Sequence, residues 1–393
     1  MSLPDSALRE AYASAGGSLY AYDLDSMLAH LRSLKAEGLR LWYACKANPL
    51  SAVLETVKEA GLSFDVASLG ELEQVLRAGA DPKRILLTGP VKSEAFLARA
   101  FAAGTEWFVA ESLQQLERLE RHAAAADRKV NILVRLQLGW ESGAHSVLGG
   151  NKITAFGMGV KDWGELPTLP HLSYRGVHVF QWGNVLDAGT LGSVWAKIGE
   201  EARAFARTQG FALDVLDLGG GIGISYEEAD GKLAWEALVP SLAETRRISG
   251  AAELWMELGR YAVGPFGHYV TEVMERKTVR GENFLLCNGG SQHMVRPALV
   301  KESFPARNLS RPGGREEFRV HGPLCTALDG LGTFYFSPES GEGDLLAFSQ
   351  CGAYGFTESM PYFLCHELAG EWVWQNGKLR ELRKVKPAAT WLA

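Results

Sequence analysis

Cysteine is scarce in this sequence. Only Cys45, Cys287, Cys325, Cys351 and Cys365 occur in 393 residues, widely spaced and odd in number, which excludes a disulfide-built scaffold and fits a reducing compartment. No Cys-x-x-Cys pair of the zinc-binding kind is present, and no metal is expected. Also missing is any run approaching the roughly 18 apolar residues of a membrane helix. The N-terminus, Met1-Ser2-Leu3-Pro4-Asp5, lacks the basic and apolar regions of a signal peptide. A cytoplasmic chain with no membrane partner is therefore the expectation. Extended basic runs are lacking too: 40 Lys plus Arg against 46 Asp plus Glu give a net charge of −6. That balance argues against wrapping a nucleic acid and fits a solvated acidic surface, although a local pocket can still take a small anion.

Glycine, by contrast, is plentiful. Its 44 residues fall in turn-like and ligand-approach positions instead of a repeat, which excludes a fibrous or disordered chain. At roughly 100–200 residues per domain the length suggests two domains, one of which has room for a barrel of about 250 residues.

Short apolar runs recur from Leu39 onward between helix-capable segments. They are Leu41–Cys45, Ser63–Ala67, Arg84–Thr88, Glu106–Val109, Asn131–Leu136, Tyr174–Phe180, Asp214–Leu218 and Glu253–Glu257. Eight strands alternating with helices such as Ser51–Ala60, Leu69–Ala78 and Leu113–Ala125 predict an α/β fold, a (β/α)8 TIM-like barrel over 26–270. Ser68 with Glu71 three residues on has the spacing of a capping box. An open parallel α/β sheet is the structural alternative, because periodicity does not prove closure. After about residue 270 the rhythm changes to β-branched and aromatic runs, His268–Val273, Asn283–Cys287, Thr333–Phe336 and Leu345–Phe348, with glycine-rich turns between them. A second, mainly β domain formed by 1–25 and 271–393 is the expectation, with 308–317 as an exposed loop.

Lys46, in Tyr43-Ala44-Cys45-Lys46-Ala47-Asn48, stands where the first barrel strand ends, at the face where catalytic groups of barrels gather. Its amine can condense with a carbonyl cofactor; taken alone, a solvated or structural lysine is the plainer reading. Gly219-Gly220-Gly221-Ile222-Gly223 follows a strand and exposes backbone amides that can surround a phosphate. Glu257 closes the last strand, just before Leu258-Gly259-Arg260.

These segments, with Phe64-Asp65-Val66-Ala67-Ser68-Leu69-Gly70-Glu71, Gly322-Pro323-Leu324-Cys325 followed by Asp329, and Gly352-Ala353-Tyr354-Gly355, run in an order from about 40 to 366 that resembles the alanine-racemase-like fold type of pyridoxal enzymes. Within it, the pattern is similar to the diaminopimelate and ornithine decarboxylase branch. The resemblance implies pyridoxal 5'-phosphate as cofactor, carried on Lys46, and the decarboxylation of an L-amino acid or a derivative of one. It further implies phosphate binding by Gly220, Gly221, Gly223, Arg260 and Tyr354, with Gly259 in the same segment, and a carboxylate, Glu257, at the ring nitrogen. Asp65, Glu71 and Arg135 support the site. The family's ring-stacking histidine is replaced by Phe180, while His178 stands two residues earlier. Cys325, reaching in from a partner subunit of a homodimer, returns the proton to Cα.

Thr326 departs from the pattern, since the ornithine and diaminopimelate enzymes carry an acidic residue there, suited to a distal amine. The departure makes room for a less cationic substrate, such as an aminoacyl group tethered to an acyl-carrier protein, as in the antibiotic-biosynthesis decarboxylases this chain resembles. Arg296 is expected to bind a second carboxylate or acyl oxygen, and Asp329 to orient its loop or face substrate. A racemase with the same cofactor, a noncatalytic pyridoxal-phosphate-binding protein and a plain binding module are the rival readings. An arginine in place of Glu257 would have favoured racemisation.

Overall fold

The computed structural model describes residues 3–139, 153–226 and 233–392. The chain forms two compact units, one of His30–Ile224 and Gly231–Tyr261, the other of Met1–Ala29, Ser225–Asp230 and Ala262–Ala393.

The first unit is a closed barrel. Its eight strands are, in order, Leu39–Ala44, Ser63–Val66, Ile85–Leu87, Trp107–Ala110, Val130–Gln137, Leu172–His178, Val215–Asp217 and Glu253–Leu258. Each pairs in parallel with the next, and the last returns to the first through Leu254 beside Leu39 and Leu258 beside Tyr43. That final pairing rules out the open sheet. The expected strands lie within two residues of these positions, but the sixth ends at His178 and leaves Phe180 beyond it. Serine starts three of the outer helices: Ser68, Ser93 and Ser112 each accept the amide of the residue three positions on. The Ser68–Glu71 box is present in altered form, with the Glu71 carboxylate taking the amide of Ala67 at 2.7 Å.

Side chains of alternate residues point into a barrel. Trp42, Leu86, Val109, Leu133, Val215 and Trp255 fill one interior layer, where the Trp42 and Trp107 rings each lie 4.6 Å from that of Trp255, centroid to centroid. Two residues further along their strands, Leu133, Val215 and Trp255 give way to Arg135, Asp217 and Glu257. The apolar plug thus carries a polar layer on its C-terminal side, the face on which barrels build active sites.

The second unit is a nine-stranded mixed sheet. Its longest strand, Gly267–Val279, bends at an irregularity between Val273 and Glu275, which lets it pair with Leu19–Asp23, Glu282–Cys287 and Leu345–Phe348. Leu19–Asp23 also pairs in parallel with Gly370–Gln375. The loop expected at 308–317 is shorter than the sequence suggests. Ala306–Asn308 and Glu316–His321 are strands, and Asn308 is buried, its amide bonding Ser340 and Asp344 while its carbonyl takes the amides of Ser310 and Arg311. Proline and glycine at 312–314 signal the turn correctly, but say nothing of the side-chain anchor that starts it.

Candidate active site

Lys46 leaves the first strand on a single turn, Cys45–Ala47, steadied by the hydroxyl of Tyr43 donating to the Asn48 carbonyl at 2.9 Å. Its Nζ stands 3.1 Å from Asp65 Oδ2, with the lysine side chain half exposed and the carboxylate buried. Thr88 donates its hydroxyl to the other Asp65 oxygen. Burial, then the charge of Glu257, raises the Asp65 carboxyl, against the pull of Lys46 and Thr88.

Glu257 belongs to the polar layer. Burial would raise its carboxyl, but the His178 imidazole, by charge and by a 3.1 Å hydrogen bond from Nε2 to Oε1, outweighs it with help from Lys46 and Arg135, and holds it down at about 2. His178, itself buried, is raised in turn, the Glu257 charge overcoming its desolvation. A buried anion is thus kept ionised by neighbouring cations at the floor of the site.

Arg135 is held by Glu111 at 2.9 Å, both side chains nearly enclosed, and its guanidinium lies 4.9 Å from the centre of the Phe156 ring. The second Glu111 oxygen takes the Gly157 amide. Glu111→Ala leaves this cation buried without its carboxylate and should destabilise the fold by about 3–5 kcal/mol, read as a lower urea midpoint; an unchanged midpoint would refute the ion pair's structural role. Beside it Lys92 is fully buried, bonded to the Gly89 carbonyl at 2.8 Å and to Gln115 Oε1 at 3.1 Å, and pushed down to about 8 chiefly by burial.

The glycine-rich turn follows the seventh strand. Gly221 has φ +105°, and a Cβ there would stand 2.5 Å from the Trp182 carbonyl oxygen; one on Gly220 would stand 2.5 Å from that of Glu257. Only glycine fits this close approach of backbone to backbone. The Gly219 amide bonds Asp217 and that of Gly223 bonds the Val185 carbonyl, whereas those of Gly220 and Gly221 donate to no acceptor among the described residues. Phe180 lies alongside: a Cβ on Gly219 would meet its ring carbon at 2.9 Å. Gly259 follows the eighth strand, and Arg260 opens a short helix.

The barrel unit therefore brings together, at one end, a lysine amine, two open amides and an ionised buried carboxylate. These are what a carbonyl, a phosphate and a pyridinium nitrogen respectively require, so the residues present fit pyridoxal phosphate. Sequence reasoning missed Thr88, Lys92, Glu111 and Asp217. The first three lie after strands outside the resembling motifs, but Asp217, two residues before Gly219, had a signal: an acid inside an otherwise apolar strand run.

The remaining expected residues lie in the sheet unit. Asp329 is buried and accepts the amides of Ser291 at 2.6 Å and Leu324 at 2.5 Å, tying two loops together. Both of its oxygens are thus taken by backbone amides of these loops. Cys325 is exposed on the loop so held, and the Thr326 hydroxyl accepts the Leu328 amide at 3.2 Å. Arg296 lies 3.2 Å from Glu358 and 3.9 Å from Glu302, its guanidinium 5.7 Å from the Tyr354 ring centre. Tyr354 sits in a left-handed turn with φ 55°.

Residues 25–264 match the family model described as "Pyridoxal-dependent decarboxylase, pyridoxal binding domain". The diaminopimelate decarboxylase of Deinococcus radiodurans is 31% identical over 400 residues, covering all of both chains. The L-glutamyl-[BtrI acyl-carrier protein] decarboxylase of Niallia circulans is 27% identical over 388 residues, covering 93% of this chain and 90% of its own. In fold, the chain matches the diaminopimelate decarboxylase of Helicobacter pylori solved with L-lysine, with a TM-score of 0.86, 24% identity and 98% of each chain covered. With the lysine, the open amides and the buried carboxylate arranged as described, these likenesses establish that the chain belongs to the pyridoxal-dependent decarboxylases and is a pyridoxal-phosphate-dependent amino-acid decarboxylase.

Proposed function

We propose that this decarboxylase acts on an amino-acid derivative lacking a free distal ammonium group, and that an aminoacyl group on an acyl-carrier protein is its substrate. Thr326 carries this reading. It stands where the resembling ornithine and diaminopimelate enzymes place an acid, and its hydroxyl is engaged in capping the turn that follows. Arg296 supports it: two glutamates already face the guanidinium, which weakens its hold on a second free carboxylate such as that of diaminopimelate. The Niallia circulans relative, by its name, acts on a carrier-linked glutamyl group.

The cofactor, when bound, supplies the electron sink that accepts the pair released as the carboxylate leaves Cα. The protein's share is positioning and proton management. Lys46 Nζ, with Asp65 Oδ2 as its counter-charge, would hold the cofactor by its carbonyl carbon. The Gly220 and Gly221 amides and Arg260 would hold the phosphate, with Tyr354 reaching it, like Cys325, from the partner subunit. Gly223 and Gly259 shape the backbone around it, and Phe180 offers an aromatic face to the ring. Cys325 Sγ returns a proton to Cα from the partner subunit of a homodimer. Five unpaired cysteines fit a cytoplasmic setting, and no described helix is long and apolar enough to cross a membrane.

Incubation of the cofactor-loaded enzyme with free lysine, ornithine, glutamate and diaminopimelate, and with carrier-tethered aminoacyl groups, should give carbon dioxide and the matching product mass from the tethered class. Turnover of free diaminopimelate with equal kcat/KM would overturn the assignment. Cys325→Ala should lower product formation by roughly 10²–10⁴-fold, the usual contribution of a positioned proton donor. Unchanged product formation would remove Cys325 from the reaction. Sedimentation of a fully active monomer would contradict the shared site.

A further inference from the structure

Asp217 belongs to none of the roles above, yet it stands between two of them. Strand register places it beside His178 on the sixth strand and beside Trp255, two residues before Glu257, on the eighth. His178, Asp217 and Glu257 are all buried, and one ligand-type atom from each lies within 4.8 Å of the others. Asp217 Oδ1 accepts the Gly219 amide at 2.8 Å. Two buried atoms of this trio, His178 Nδ1 and Asp217 Oδ2, have no partner among the described residues. The two atoms do not hydrogen-bond each other, so Asp217 acts on the imidazole through space, by charge at close range in a buried site.

We propose that Asp217 is a positioning residue for Glu257: buried in the same trio, it helps by its charge to keep the His178 imidazole protonated against Glu257, while its Oδ1 fixes the Gly219 amide. One side chain then aligns the phosphate-binding turn with the carboxylate that meets the cofactor's ring nitrogen. The inference rests on that assignment of Glu257. Burial, then the Glu257 charge, raises the Asp217 carboxyl to about 7, against the pull of His178. Lys46, Asp65 and Arg135 are the other charged groups facing the trio.

The test is the His178 imidazole, followed by nitrogen NMR of cofactor-free protein and identified as the signal lost in His178→Gln. In the wild-type protein it should remain doubly protonated above the ordinary histidine range. In Asp217→Asn, which keeps an oxygen for Gly219 but loses the charge, its pKa should fall by about one unit or more, with affinity for pyridoxal phosphate within threefold of wild type. Asp217→Ala should lose about tenfold in that affinity as well. A neutral His178 at pH 7 in the wild-type protein overturns the proposal without any variant, as does an unchanged titration in Asp217→Asn. The Glu257 assignment is tested separately, since Glu257→Gln must alter the absorbance of bound cofactor; if it does not, that assignment fails whatever Asp217 does.

Discussion

Lys46→Ala should lose at least ~10³-fold in kcat, because under the proposed assignment it removes both the covalent anchor and the nitrogen that exchanges with the substrate's amine. The variant should still fold. The Lys46 side chain is half exposed, and Asp65, deprived of its counter-charge, retains the Thr88 hydroxyl and has a carboxyl already raised by burial, so it can take up a proton instead of remaining a buried anion. Added pyridoxal phosphate should then bind through its phosphate contacts, without a covalent link, and keep the absorbance of the free aldehyde. An unaltered spectrum of bound cofactor, or activity within threefold of wild type, would show that another nitrogen carries the cofactor.

Glu257→Gln separates binding from chemistry. Glutamine preserves the volume and a hydrogen-bonding oxygen toward His178, but not the negative charge that favours a protonated ring. Loss of one preorganised electrostatic partner is worth roughly 10²–10³ in kcat. Cofactor affinity should change far less, since Lys46 and the turn amides are untouched. The measurement is kcat at saturating cofactor, together with absorbance across pH. A kcat within threefold of wild type would mean that the ring needs no carboxylate, and the electron-sink role of Glu257 would fall.

Legibility in the sequence followed physical cause. The barrel strands could be read because parallel strands buried on both faces are short continuous apolar runs, and the helix after the second of them carried the Ser68–Glu71 capping signal. Closure could not, since it depends on Leu254 meeting Leu39 across two hundred residues, a pairing that local periodicity does not encode. At the site, Lys46, Glu257 and the glycine turn stood out through the family resemblance their segments carry, with their positions at strand ends only in support. Asp217 did not, because in a strand read as apolar an inward-facing acid differs from its neighbours by one letter, and its role is defined by His178 on another strand. Asn308 was hidden for a similar reason: its neighbours spelled a loop, and the partners that bury it, Ser340 and Asp344, lie thirty residues on.

Leu19–Asp23 sets the order in which this protein can be completed. On a ribosome this strand emerges early, but Leu19 pairs with Val270 on one side and Gly370 on the other. All eight barrel strands are synthesised before either partner exists. The strand must wait, with unpaired amides and carbonyls along both edges, while the barrel folds from its own contiguous sequence. A nascent chain halted near residue 300 would have one of the two partners, and one halted before residue 370 would still expose the other edge. The period of greatest aggregation risk therefore belongs to the second unit, and synthesis of Gly370–Gln375 ends it.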